Sequence, residues 1–147
     1  MEQTIRDVLR VKGDAVLSVH PSATVIDAVH LMNEHRVGSV VVADDQQLRG
    51  IFSERDVLTR VVAAELDPNS VLVGEVMTTG LYTARIDDTI ALVMRMMTER
   101  RFRHVPVLEQ GRLIGLVSIG DLMKAMHQGL HLEVRALNSY IAGPYMS

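Results

Sequence analysis

The chain carries one short pattern twice, as Gly50-Ile51-Phe52-Ser53-Glu54-Arg55-Asp56 and as Gly115-Leu116-Val117-Ser118-Ile119-Gly120-Asp121. In both copies Gly, Ser and Asp keep the same spacing, and the copies are 65 residues apart. An apolar run that ends in Ser, with Asp three residues later, is typical of a strand followed by a capped helix. Repetition of such a unit indicates a duplicated structural element.

The same offset of 65 holds far beyond these two segments. Residues 18–60 align with residues 83–125 without a gap, and ten positions are identical. The identical pairs are Thr24 with Thr89, Met32 with Met97, Glu34 with Glu99, Arg36 with Arg101, Val40 with Val105, Val42 with Val107, Leu48 with Leu113, Gly50 with Gly115, Ser53 with Ser118 and Asp56 with Asp121. Because these matches lie inside matching apolar patterns, the sequence predicts two structural repeats. The openings of the halves, 5–9 and 73–77, also resemble each other.

Each half has the pattern of β-α-β-β-α. The spacing of apolar residues predicts two helices, and short β-branched runs predict strands. In the first half we predict a strand at Val16–Val19, a helix capped by Ser22 or Thr24, strands at Ser39–Ala43 and Leu48–Phe52, and a helix from Ser53. In the second half we predict a strand near Leu81–Thr83, a helix at Thr89–Arg100, strands at His104–Leu108 and Leu113–Val117, and a helix from Ser118.

The predicted fold is α+β, with two pseudo-symmetric repeats packed as one module. A half of about 60 residues would be marginally stable alone, so we expect a shared core. The predicted boundaries are 1–68 for the first domain, 69–127 for the second and 128–147 for a C-terminal helical tail. We expect the pairs Val57/Val61 and Leu122/Met126 to form exposed apolar helix faces, which predicts a homodimer.

Composition excludes several classes of function. The 147-residue chain has no Cys, which excludes disulfides, thiol catalysis and Cys-ligated zinc. A net charge of −3 and 3% aromatic residues argue against nucleic acid and membrane partners. Residues 1–7 lack the apolar core of a signal peptide, and no run approaches the ~18–20 apolar residues of a membrane span. We therefore expect a cytoplasmic protein.

The repeated segment resembles the G-h-x-[S/T]-x-x-D signature of cystathionine β-synthase (CBS) domains. Arg103-His104-Val105-Pro106-Val107 resembles the h-P-V strand of that family, and the resemblance covers residues 1 to about 127. It implies a Bateman module of the small stand-alone bacterial type, in which two clefts between the repeats bind adenosine-containing ligands. AMP is the first expectation, with ADP, ATP and NAD(H) as alternatives, and an unidentified effector protein would read the signal.

The residue types suit a nucleotide. Ser53 and Ser118 lie where a strand becomes a helix, so exposed N–H groups there favour phosphate. Asp56 and Asp121 can accept the ribose hydroxyls. The candidate nucleotide-binding residues are Lys12, Val19, Arg36, Val37, Gly38, Ser39, Val40, Ser53, Arg55, Asp56, Thr83, Arg101, Arg103, His104, Val105, Pro106, Ser118, Gly120 and Asp121.

Plainer interpretations stay open. A Ser with a following Asp is also an ordinary helix cap. Asp44-Asp45 fits a turn better than a metal site, and His127 and His131 fit a solvated helix face better than a zinc site. No pattern of a nucleophile with a base, a metal cluster or a phosphate-binding loop is present, so we expect no catalytic residues and no catalytic cofactor. A dimerising scaffold with vestigial clefts is the alternative function.

Overall fold

The computed structural model describes residues 2–13 and 15–129. Both repeats contain the predicted elements, and each is preceded by an additional helix. The helices are α1 (Ile5–Lys12), α2 (Val25–His35), α3 (Glu54–Asp56, continued by a π-helical segment at Val57–Val62), α4 (Val73–Val76), α5 (Ile90–Arg100) and α6 (119–129). The strands are β1 (Ser18–Val19), β2 (Ser39–Asp44), β3 (Gln47–Ser53), β4 (Ala84–Arg85), β5 (His104–Glu109) and β6 (Arg112–Ser118). The α+β class is thus confirmed.

The strands form two sheets of three, ordered β1-β2-β3 and β4-β5-β6. In the first sheet β1 is parallel to β2, and β2 and β3 form an antiparallel hairpin. Asp45 and Gln46 close that hairpin with φ values of 49° and 67°, the conformation of a tight two-residue hairpin turn. This confirms the predicted turn at Asp44-Asp45.

One predicted strand was misplaced. The sequence predicted a strand near Leu81–Thr83, whereas the structure has it at Ala84–Arg85. Ala84 is completely buried, while residues 81–83 are only half-buried. The position of a two-residue strand is set by its pairing in the sheet rather than by local β-propensity, so the sequence could not locate it closely.

Capping side chains begin the helices as predicted. Thr24 Oγ1 accepts from the Asp27 N–H at 3.3 Å, and Thr89 Oγ1 accepts from the Leu92 N–H at 3.1 Å. Each bond satisfies one of the N–H groups that a helix leaves unpaired at its start. Ser22 does not cap α2 but lies 2.6 Å from His20 Nδ1 instead.

Residue contacts divide the described chain into two units, neither of which is continuous in sequence. The first-repeat unit comprises 15–83 and 106–116, and the second-repeat unit comprises 2–13, 84–105 and 117–129. The opening of each half therefore packs with the main body of the other. Within the second-repeat unit, the Ile5 N–H donates to Asp88 O at 2.9 Å and the Ile90 N–H donates to Gln3 O at 3.0 Å.

The first-repeat unit has an apolar core beneath β2 and β3. Phe52 and Val61 are completely buried in it, together with Val25, Ala28, Val40, Val42 and Val73. Val61 comes from the π-helical segment, which therefore covers the sheet with the face that carries Val57 and Val61. The second-repeat unit buries a similar set: Ile5, Val8, Ile90, Val93, Met97, Val105, Val117 and Leu122.

The prediction about exposed helix faces was wrong for Val61 and Leu122, since both are completely buried. The exposed apolar residues are their neighbours: Leu58 (64% exposed), Val62 (61%), Met123 (59%) and Met126 (45%). Helical spacing defines stripes of residues, but these helices carry two adjacent apolar stripes. Only the packing of each helix on its sheet decides which of the two is covered.

Two further features concern membranes and the tail. Within residues 2–13 and 15–129 no helix combines the length and apolar character needed to cross a bilayer. The tail predicted at 128–147, with His131 among its residues, lies outside the described residues after 129.

Candidate functional site

Both copies of the repeated pattern form the same turn from strand to helix. The Asp56 N–H donates to Ser53 Oγ at 3.3 Å, and the Asp121 N–H donates to Ser118 Oγ at 3.1 Å. In return, the Ser53 N–H donates to Asp56 Oδ2 at 3.0 Å and the Ser118 N–H donates to Asp121 Oδ2 at 2.8 Å. This reciprocal capping brings each carboxylate back over the start of its helix.

In the first repeat the carboxylate of Asp56 is fully engaged. Its side chain is only 8% exposed. Oδ2 accepts from the N–H and the hydroxyl of Ser53, while Oδ1 accepts from Thr78 Oγ1 at 2.9 Å and lies 3.6 Å from Arg60 Nε. A ribose hydroxyl at Asp56 would have to compete with these partners.

In the second repeat the carboxylate of Asp121 is more open, with its side chain 25% exposed. Lys12 Nζ lies 2.6 Å from Asp121 Oδ2, although 109 residues separate the two in sequence. The Ser118 N–H donates to the same oxygen of Asp121. Because a quarter of the Asp121 side chain is exposed, its carboxylate is accessible to a ligand hydroxyl.

Cationic and polar groups surround Asp121. His104 begins β5 and is half-buried, and the exposed Arg103 precedes it. The Ile119 N–H donates to Arg103 O at 3.4 Å, which ties the start of α6 to this corner of the second-repeat unit. Backbone N–H groups at the start of a helix favour an anion.

The charges in this site influence one another. Burial is the largest influence on the pKa of His104 and lowers it below its ordinary value; Lys12 lowers it further, Asp121 opposes this, and Arg103 adds a smaller lowering. The His104 imidazole is therefore mostly neutral at pH 7. Burial alone would raise the pKa of Asp121, but hydrogen bonds from Lys12 and Ser118 outweigh it and hold the pKa below its ordinary value. Asp121 is ionised at neutral pH.

The structure thus brings Lys12, His104, Ser118, Gly120 and Asp121 together, with Arg103 beside them. An ionised acceptor next to two cationic groups and the start of a helix suits a ligand that has both hydroxyl groups and a negative charge.

The other predicted site residues take varied positions. Arg36 and Arg101 are exposed C-caps of α2 and α5, with φ values of 55° and 59°. Four others are buried within their strands: Ser39, Val40, Val105 and Pro106. The remaining residues are exposed or half-buried: Val19, Val37, Gly38, Arg55 and Thr83.

Sequence reasoning missed three residues that shape the first repeat. Thr78 and Arg60 engage Asp56, and Glu54 lies against Gly38. The alignment of the repeats carried a signal for Glu54, because Ile119 stands at the equivalent position. No local signal pointed to Thr78, which reaches Asp56 from 22 residues away.

The described residues contain no group of three or more His, Asp or Glu side chains that could hold a metal ion. His127 lies exposed on α6.

Comparison with known proteins identifies the family. The CBS domain model matches residues 5–63 and 73–128, so the chain belongs to the CBS domain family as a CBS-domain pair. The chain is 37% identical to the mitochondrial CBS domain-containing protein CBSX3 of Arabidopsis thaliana, over 97% of this chain and 73% of the relative.

Solved structures agree with this family. A CBS-domain containing protein of Agrobacterium tumefaciens has a TM-score of 0.78 and 38% identity, over 84% of this chain and 99% of that one. A CBS domain protein of Pyrobaculum aerophilum, solved in complex with AMP, has a TM-score of 0.71 and 25% identity, over 80% of this chain and 88% of that one.

Proposed function

We propose that this protein is a regulatory module that binds an adenine nucleotide, foremost AMP, at the second-repeat site. In this proposal Asp121 accepts a ribose hydroxyl through its partly exposed carboxylate. Lys12, Arg103 and the start of α6 bind the phosphate, while the neutral His104 contacts the nucleotide as a hydrogen-bond donor or acceptor.

The observation that carries the proposal is the ion pair between Lys12 and Asp121, 2.6 Å long and partly exposed beside His104. An exposed pair of this kind contributes little to stability. It does hold an acceptor and a cation side by side at a helix start, which is the arrangement that a nucleoside phosphate needs. The AMP complex of the Pyrobaculum relative supports AMP as the ligand. ADP, ATP and NAD(H) share the adenosine group and remain alternatives.

Binding of AMP is expected to stabilise the protein. A ligand at ~100 times its dissociation constant should raise the free energy of unfolding by about 2.7 kcal/mol. Thermal unfolding with AMP, ADP, ATP, NAD(H) and GMP measures this directly. GMP should stabilise the protein much less, because the exocyclic groups of guanine reverse the donor and acceptor pattern of adenine. Equal stabilisation by GMP and AMP would contradict adenine specificity, and no stabilisation by any of them would contradict the nucleotide proposal.

We further propose that the protein is a homodimer. Leu58 and Val62 lie exposed in the first-repeat unit, and Met123 and Met126 lie exposed on α6 in the second-repeat unit. Exposed apolar side chains grouped on a helix are typical of interaction surfaces. We expect light scattering to give a dimer at tens of micromolar, and the double variant Leu58→Asp/Met123→Asp to give a folded monomer. A parent protein that is monomeric under these conditions would overturn the homodimer proposal.

The proposed role is binding rather than catalysis, because the site residues supply acceptors and cations but no nucleophile paired with a base. Any output would then pass to an effector protein, and the cytoplasm remains the predicted location. The exposed apolar residues are the observation that supports the alternative function, a dimerising scaffold with vestigial clefts. It predicts a dimer that no adenine nucleotide stabilises, so the two measurements above separate the two functions.

A further inference from the structure

The two repeats differ in charge at one pair of positions beside the starts of α3 and α6. In the first repeat a Cβ atom added to Gly38 would collide with Oε1 of Glu54 and lie 3.2 Å from its Cδ. The carboxylate of Glu54 therefore occupies the space into which a side chain at position 38 would project. The Glu54 N–H also donates to Gly38 O at 3.0 Å, so backbone and side chain both hold these two residues together.

The second repeat has the opposite arrangement at the equivalent positions. Arg103 replaces Gly38, and Ile119 replaces Glu54. The backbone bond is kept, because the Ile119 N–H donates to Arg103 O. Each repeat thus has one long charged side chain at this pair of positions, which is Arg103 in the second repeat and Glu54 in the first.

Other features of the first repeat point in the same direction. Both oxygens of Asp56 are engaged by Ser53, Thr78 and Arg60. His104 and Arg103 are replaced by Ser39 and Gly38, which carry no charge, and Ser39 is buried. The first repeat has Arg55 where the second has Gly120, but Arg55 is exposed on α3 and follows the Glu54 carboxylate in sequence.

We propose that Glu54 closes the first-repeat site to phosphate groups, so that each chain binds a single AMP. This inference rests on the proposed function, since it assumes that the second-repeat site binds AMP. Glu54 acts as a specificity residue: its carboxylate lies near the start of α3, where a phosphate would bind, and repels it. The two repeats therefore differ at one pair of positions. The first repeat has Gly38 and Glu54 there, and the second has Arg103 and Ile119.

Calorimetry with AMP tests the inference by stoichiometry. The parent is expected to bind one AMP per chain. The double variant Gly38→Arg/Glu54→Ile, which copies the second repeat, should bind two. If the parent binds two AMP per chain, or if the folded double variant still binds one, the inference is overturned. A parent that binds no AMP overturns the proposed function as well, so the two failures are distinguishable.

A milder variant keeps the test valid if the double variant does not fold. Glu54→Gln removes only the charge of an exposed side chain. In an Asp121→Asn background, which weakens the second-repeat site, it should raise AMP affinity about tenfold, the effect of removing one like charge close to a phosphate. The matched control is Glu34→Gln, an exposed residue of α2 in the same repeat, which should change AMP affinity less than twofold.

Adenosine separates charge repulsion from a steric effect. It has no phosphate, so Glu54→Gln should leave its affinity unchanged. An equal gain for adenosine and AMP would overturn the electrostatic role of Glu54, and so would a gain in the Glu34→Gln control equal to that of Glu54→Gln.

Discussion

Replacing Asp121 with Asn is expected to weaken AMP binding about 10- to 150-fold while lowering the free energy of unfolding by only about 0.3–1 kcal/mol. The loss of affinity follows from a charge-assisted hydrogen bond to ribose, which contributes about 1.5–3 kcal/mol. The small loss of stability follows from the open position of Asp121, whose ion pair with Lys12 is partly exposed and whose effect on the helix dipole is modest. Calorimetry and thermal unfolding of the same preparation measure both quantities.

The matched change Asp56→Asn should have the opposite outcome. Asp56 is buried and accepts from Ser53 and Thr78. In Asn an NH2 group replaces one carboxylate oxygen and would face a hydrogen-bond donor instead of accepting from it. We therefore expect the free energy of unfolding to fall by about 1–3 kcal/mol, with AMP affinity nearly unchanged. If both variants melted lower and bound AMP as well as the parent does, the two carboxylates would serve only as helix caps, and the nucleotide proposal would lose its ribose acceptor.

Changing Val61 to Asp should unfold most of the protein, whereas the same change at Val62 should not. Val61 is completely buried beside Phe52 in the core of the first-repeat unit. An unpaired carboxylate at that position costs several kcal/mol, which is a large part of the total of about 5–15 kcal/mol that holds a domain together. Circular dichroism and urea unfolding measure the loss.

Val62 is the control because it adjoins Val61 and is 61% exposed. We expect Val62→Asp to retain the helical signal and to stay within about 0.5 kcal/mol of the parent monomer. Because Val62 lies on the proposed dimer surface, unfolding is measured at several protein concentrations, which separates the contribution of dimerisation. Similar losses for the two variants would contradict the burial of Val61 and reopen the question of which helix face packs on the sheet.

Much of the fold was predictable because its signals are local. The sequence predicted the helix caps at Thr24, Ser53 and Ser118, since a cap depends only on residues three positions apart. The hairpin strands and their turn followed from short β-branched runs around Asp44-Asp45. The strand at Ala84–Arg85 was misplaced because two residues carry too little pattern to locate it.

The candidate site was less accessible to sequence reasoning. The equivalent Asp56 and Asp121 look the same in sequence, but Thr78 and Arg60 engage the first while Lys12 pairs with the second. Lys12 is the last residue of α1, Thr78 follows α4, and Arg60 lies four residues after Asp56. No spacing rule connects Lys12 to Asp121 across 109 residues.

The two CBS repeats and the capped helix after each hairpin were predictable from the residue pattern, because repetition and capping depend on residues close together along the chain. Three features depend on long-range packing: α1 packs with the second repeat, Val61 rather than Val62 faces the core, and Asp56 is more buried than Asp121. Each of these depends on which distant segment a helix or carboxylate meets, and burial and hydrogen bonding at that meeting are not recorded in the local pattern.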